Sequence, residues 1–339
     1  MILLLLACTG TPEDTGTIDP LSWPVDEDGP FNVGFRTWEF EYTPTGREAR
    51  TVTMNLWYPT NDTSGPSGEY LEAFEDEAVF RDAEPAPSVY EGGYPVHVHS
   101  HGYSAYGGAS AHLFRRYASH GWVVASPDHT GNTIDAHQDR MPTGYNWVRI
   151  QDLTATLDLV HEELDVRDEA LVSGHSYGGY TAYGAAGGTL DLEHWQQQCE
   201  EHQDCDDNDL VQFERGAADP RFTSVMAIAG SGWGRIAPEG YEALQGPAMM
   251  LTGGDDGWSG EQSIWDETSA APLVWVHFED VCHNGFTIGG CSLIENDEVW
   301  KMTDHYAFAM GRSILDDDGV DGVLDGSIEV DSRATVKAR

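Results

Sequence analysis

One short stretch constrains this chain more than any other. Gly174-His175-Ser176-Tyr177-Gly178, followed by Gly179, lies between the apolar run Ala170 to Ser173 and a small-residue helical segment from about Tyr177 to Gly188. A backbone that passes from strand to helix in so few residues must turn sharply, and small residues on either side of the serine allow it. Such a turn lifts the serine hydroxyl above the end of the strand. It also aims a helix N-terminus, with its partial positive charge, at the same spot.

The surroundings of this turn alternate between strand and helix patterns. Arg50 to Tyr58 alternates as a strand and stops at Pro59, and Pro95 to Ser100 and Gly121 to Ser126 are short apolar strands flanking a helical Ala111 to His120. Asn146 to Glu163 is amphipathic, with Val148, Leu153, Leu157 and Val160 on one side. Val225 to Ala229, Ala248 to Thr252 and Leu273 to Phe278 are further apolar runs, and Trp300 to Ile314 closes the series as a helix. This order predicts an α/β architecture: a mostly parallel, doubly wound central sheet with helices on both faces. The segment 60–93 is rich in Gly, Pro and Glu and is expected to be a surface excursion with little regular structure. Residues 190–216 interrupt the alternation and predict a small insertion after the helix that follows Ser176.

The 339 residues suit one catalytic domain, expected over 31–315, with a tail at each end. With 17 basic and 58 acidic side chains the formal net charge is −41, which repels nucleic acid and anionic membrane surfaces. Met1 to Cys8 ends in Leu-Leu-Ala-Cys and reads as the remnant of a lipoprotein signal, with Cys8 the candidate for lipidation and 9–30 a flexible tether. That predicts export, to the cell envelope or beyond it. The acidic tail 316–339 has oxygen ligands at calcium-like spacing but no terminal glutamate, so it reads as solvated. In an oxidising compartment Cys199, Cys205, Cys282 and Cys291 predict two short-range disulfides, 199–205 and 282–291, among the three connectivities four cysteines allow. A monomer without cofactor is expected.

A serine hydroxyl needs an adjacent base, and that base needs a third group to orient it. After Ser176 the chain offers Asp255 and Asp256 where the run Met249 to Thr252 ends, and then His283 in the loop after the last strand. Both loops fall at the carboxyl ends of strands, in the order serine, acid, histidine that this topology requires. Ser176 is then the nucleophile, His283 the base, and Asp256 or Asp255 the acid. The backbone amides of Tyr177 and of Tyr103, in the loop after the early strand, are the candidate oxyanion donors. His97, His99 and His101 alternate and raise a metal site, but Gly102 bends the strand away, and ordinary strand and loop histidines are the stronger reading. His161-Glu162-Glu163 lacks a second histidine, and no phosphate-cradling loop with its lysine is present.

With these residues in place, the chain resembles the branch of the α/β-hydrolase superfamily described as predicted dienelactone hydrolases. That branch is related to platelet-activating-factor acetylhydrolases and to cutinase-type polyester hydrolases. The resemblance rests on Trp57-Tyr-Pro, Ser100-His-Gly-Tyr, Ala118 to Thr133, Gly174 to Ala182, Asp219-Pro-Arg and the His283 loop, spanning roughly 38 to 312. It implies the α/β-hydrolase fold, places the acid at Asp256 rather than Asp255, and makes Trp233 and Tyr103 candidates to line the substrate subsite. The serine departs from dienelactone hydrolases proper, which use cysteine, and the 190–216 insertion departs from compact cutinases. The expectation is a serine carboxylic-ester hydrolase acting through an acyl-enzyme on uncharged short- or medium-chain, lipid-like or aromatic esters. An acetylhydrolase of the platelet-activating-factor type, a polyesterase, and a non-catalytic binding lipoprotein on the same scaffold are the alternatives.

Overall fold

The computed structural model describes residues 19–136, 140–230, 232, 234–257, 260–267, 269 and 272–339. Their centre is an 11-stranded sheet. In chain order the strands are β1 (Asn32–Tyr42), β2 (Arg50–Thr60), β3 (Ser67–Tyr70), β4 (Phe74–Arg81), β5 (Tyr94–Ser100), β6 (Val123–Asp128), β7 (Val166–His175), β8 (Phe222–Ile228), β9 (Ala248–Asp255), β10 (Leu273–Cys282) and β11 (Ala334–Ala338). They lie side by side as β11-β10-β9-β8-β7-β5-β6-β2-β1-β4-β3. The block from β6 to β10 is parallel throughout, as the strand–helix alternation requires. Antiparallel β2 and β11 flank it on either side.

Burial on both faces explains why the central strands read as continuous apolar runs: every residue of β5 and β6 is buried. One face packs under α1 (Ala111–Ser119) and α7 (Asn296–Ser313), with Phe114, Tyr117, Trp122, Tyr306 and Phe308 in its core. The other packs under α2 (Tyr145–Glu163) and α3 (Tyr177–Ala185), around Trp147, Ile150, Leu153, Tyr180 and Tyr183. The insertion forms α4 (Leu192–His202) and α5 (Asp207–Arg215). The Cys199–Cys205 disulfide closes the turn between them, and Trp195 stacks on Phe213 at 4.8 Å. The second disulfide is Cys282–Cys291, so both expected pairs form. Two short helices, α6 (Glu261–Glu267) and α8 (Asp321–Leu324), complete the set. None of the described helices is long and apolar enough to cross a membrane.

Three segments differ from expectation. Within 60–93, β3 and β4 extend the sheet, because Tyr70 turns inward to accept the Trp57 indole N–H at 3.1 Å and donate to Asp76 at 2.6 Å. The half of the expected tether from residue 19 on is packed down. The buried Arg312 guanidinium donates to the carbonyls of Leu21 and Trp23, and Gly29 N–H donates to Ser119 Oγ at 2.9 Å. The C-terminal segment is no solvated tail either: Asp317 pairs with Arg312 at 2.7 Å, and β11 adds an edge strand to β10 in register from Val274–Ala338 to Phe278–Ala334. Both segments therefore pack as part of the folded unit. Cys8 and residues 9–18 lie outside the described residues.

Candidate active site

Ser176 follows β7 directly and takes φ 52°, ψ −121°, a conformation that side-chain-bearing residues rarely adopt. Hydrogen bonds on both sides hold it there: Ser176 N–H donates to Ile228 O at 2.9 Å, and Gly179 N–H donates to Ser176 O at 2.8 Å. The flanking glycines are steric necessities. A Cβ on Gly174 would sit 2.0 Å from Gly178 O, and one on Gly178 would sit 2.0 Å from Ser100 O.

His283 opens a short 3-10 turn immediately after β10, and its Nε2 lies 2.7 Å from Ser176 Oγ. Its Nδ1 is hydrogen-bonded to Asp256 Oδ1. Asp255 still pairs in the β9–β10 ladder opposite Cys282 and is exposed. Asp256 is the first residue beyond the ladder; it turns back, its N–H donating to Gly253 O at 3.2 Å, and is buried. The structure thus joins Ser176, His283 and Asp256 in one hydrogen-bonded chain and leaves Asp255 out. Burial, and beyond it the nearby Asp256 charge, push the Glu261 carboxyl upward. A cavity of about 560 Å³ opens behind Asp256, against Thr252, Glu261, Trp275 and His277.

Tyr177 is the first residue of α3, where a backbone N–H has no acceptor within its own helix. Its ring meets that of Tyr103 edge-on at 5.5 Å, and the Arg235 guanidinium lies 5.0 Å from its centre. Tyr103, on the loop after β5, is 43% exposed, and its hydroxyl accepts from Met141 N–H at 3.0 Å. Gly102 packs on Ser176: a Cβ there would meet Ser176 Cβ at 3.3 Å. Trp233 lies outside the described residues.

The three alternating histidines do not converge. His97 and His99 share Ser173 Oγ at 2.6 and 2.7 Å, while His101 Nδ1–H donates to Gly102 O at 2.7 Å. Sequence reasoning passed over two further buried groups. His175, inside the elbow motif itself, donates from Nε2 to the backbone carbonyl of His283 at 3.0 Å; burial, then the neighbouring His283, bring it down to about 3, so it stays neutral. Arg149 and Asp152, three apart on α2, are both fully buried, and Asp152 accepts from His129 at 2.8 Å. Charged residues within the apolar stripe of that helix were the available signal.

Comparison with known proteins agrees with this fold. The chlorophyllase family model matches residues 85–196, a stretch that includes the loop after β5 and the elbow but ends before Asp256 and His283. No curated protein matches the sequence. Among solved structures, a ferulic acid esterase from Streptomyces cinnamoneus superposes with a TM-score of 0.61 at 18% identity, covering 93% of this chain and 98% of its own. With the elbow after β7, the acid after β9 and the histidine after β10, this likeness shows that the chain has the α/β-hydrolase fold.

Proposed function

We propose that the chain is a serine carboxylic-ester hydrolase working through an acyl-enzyme. The observation that carries this reading is the unbroken Ser176–His283–Asp256 hydrogen-bond chain at a strained elbow. Ser176 Oγ attacks the ester carbonyl as its proton passes to His283 Nε2. Asp256 holds the imidazole in the tautomer with Nδ1–H and stabilises the imidazolium. The amide N–H groups of Tyr177 and Tyr103 receive the developing oxyanion. His283 then returns the proton to the leaving alcohol, and a water molecule repeats the sequence to release the acid. His175, kept neutral, holds the His283 backbone without placing a second cation beside it.

The substrates are uncharged esters with short, medium or aromatic acyl groups. The edge-to-face Tyr103–Tyr177 pair beside Ser176 offers an aromatic wall, and the ferulic acid esterase of the same fold supports an aromatic acyl group. The net charge of −41 disfavours anionic esters. Acetylhydrolase and polyesterase activities are the rival specificities. The protein works outside the cytoplasm, anchored through Cys8 or secreted, which the two disulfides favour.

The test is hydrolysis of p-nitrophenyl acetate, butyrate, octanoate and a feruloyl ester by purified protein, with fluorophosphonate labelling and a Ser176→Ala control. Turnover and label that both vanish in the variant support the proposal, and the substrate profile separates the specificities. A folded wild type with neither turnover nor label overturns it and leaves a binding protein on a hydrolase scaffold.

A further inference from the structure

We propose that Arg149 is a positioning residue that braces both arms of the oxyanion site; this rests on the serine-hydrolase reading above. Arg149 is wholly buried, yet it is not simply one half of an ion pair. Its Nη2 donates to the carbonyl of His101 and to Ser100 Oγ at 3.1 Å, and its Nη1 donates to Asn132 Oδ1. Its guanidinium also lies 5.7 Å from the centre of the Tyr177 ring. One planar cation therefore touches the loop that leads to Tyr103 and the residue that follows the nucleophile. A guanidinium can do this because its planar fork spreads donors over separate nitrogens in fixed directions; an ammonium gathers its rotating donors on one atom.

The geometry of the peptide bond turns that contact into a statement about the oxyanion donors. In a trans peptide the C=O and the following N–H point in opposite directions. The His101 carbonyl is drawn to Arg149 on the helix side, which turns the Gly102 N–H the other way. The next carbonyl, that of Gly102, is held by the His101 ring at 2.7 Å and by Ala105 N–H at 3.3 Å, which turns the Tyr103 N–H away from them. The His101 ring is fixed in turn, because its Nε2 accepts from His129 N–H at 3.0 Å. Both peptide planes leading to the Tyr103 donor are thus tied to buried partners, and Gly102 itself packs on Ser176. A hole whose donors cannot rotate needs no reorganisation when charge develops, which is the source of its catalytic value.

Asp152, three residues further along α2, is held by Tyr42 Oη at 2.5 Å, His129 at 2.8 Å and Arg50 at 3.5 Å, which leaves the Arg149 fork to the loop.

The experiment compares wild type, Arg149→Lys and Asn132→Ala in thermal unfolding, steady-state ester hydrolysis, fluorophosphonate labelling rate and inhibition by an alkylboronic acid, which mimics the tetrahedral intermediate. In folded Arg149→Lys, kcat falls roughly 10- to 100-fold, less than the loss of a donor outright, with KM changed no more than about threefold. Boronate affinity falls in step with kcat/KM. Asn132→Ala, which keeps the charge but removes one anchor, shows the same pattern at roughly 3- to 10-fold. A folded Arg149→Lys with wild-type kcat, or with lowered kcat and unchanged boronate affinity, overturns the proposal. If Arg149→Lys does not fold, unchanged kcat in Asn132→Ala does so. A wild type with neither turnover nor label sinks the serine-hydrolase reading itself.

Discussion

Acidification is expected to destabilise this protein through its own interior. His97, His99, His101, His129 and His175 are all buried in or beneath the active-site edge of the sheet, and burial lowers every one; His97 and His175 come down to about 3. Burial disfavours the charged ring in each case, and at His101 the hydrogen bonds also require the neutral form. His101 donates from Nδ1 and accepts at Nε2, so a second proton would face the His129 N–H. The folded state therefore refuses protons that the unfolded chain takes up near its ordinary pKa of about 6.5. The unfolded state binds more protons, so stability is complete above that value and is lost as pH falls below it. At pH 5.5 each such ring costs about 1.4 kcal/mol, a figure set by the unfolded pKa alone, and the five together about 7 kcal/mol. With an unfolding entropy of about 0.7 kcal/mol/K for a chain of this length, Tm falls by roughly 10 °C between pH 7.5 and 5.5. Asp128, Asp152 and Glu261 work the other way: burial raises them, so they gain stability as pH falls and trim the loss. The assay is thermal unfolding at pH 7.5, 6.5 and 5.5 at one ionic strength, with urea titrations giving proton uptake from the slope of ΔG against pH. A Tm equal or higher at pH 5.5 refutes the reasoning, because relief of the acidic surface charge would then outweigh the buried rings.

Other perturbations separate residues that lie close together. Asp256→Asn keeps the fold but lowers kcat by about 10⁴, because the imidazole loses the partner that sets its tautomer. Asp255→Asn changes kcat by less than about threefold, since its exposed side chain lies outside the hydrogen-bonded chain. Replacing both Cys282 and Cys291 by serine costs about 2–3 kcal/mol, as expected for so short a loop. It also lowers kcat, since the bond begins one residue before His283; urea unfolding and steady-state kinetics on one preparation read both effects. Gly178→Ala leaves no fluorophosphonate label, because its Cβ would sit 2.0 Å from Ser100 O with only backbone there to yield. An alanine variant that labels at the wild-type rate would show that the elbow tolerates what its geometry forbids.

The fold, Ser176 and His283 were legible because they depend on local pattern. Parallel strands buried on two faces must be apolar along their length, and a strand-to-helix elbow must carry small residues, so β5 to β10 and Ser176 are written in consecutive letters. The supporting polar network was not legible. Arg149 and Asp152 stand in the apolar stripe of α2, and nothing in that helix alone says that His101 O and His129 come from other strands and loops to meet them. The alternating histidines read as ordinary strand and loop residues, and nothing local shows that His97 and His99 meet Ser173, on β7, about 75 positions along the chain.

The misread C-terminal segment has a physical cause. An edge strand buries little of itself, so its sequence need not alternate or be apolar; β11 reads Ala334-Thr-Val-Lys-Ala with only partial burial. What recruits it is the unpaired edge of β10, whose N–H and C=O groups must find partners, and that demand is invisible in the residues of the tail. The same logic divides Asp255 from Asp256. Both are acids at the end of an apolar run, and composition cannot tell them apart. The ladder can: Asp255 remains paired opposite Cys282 and keeps a strand's outward side chain, whereas Asp256 is released from pairing and is the first residue free to turn toward His283. The register of β9 against β10 thus selects the acid, and it sets the histidine at the same time, because Cys282 is the last residue of β10 and His283 the next.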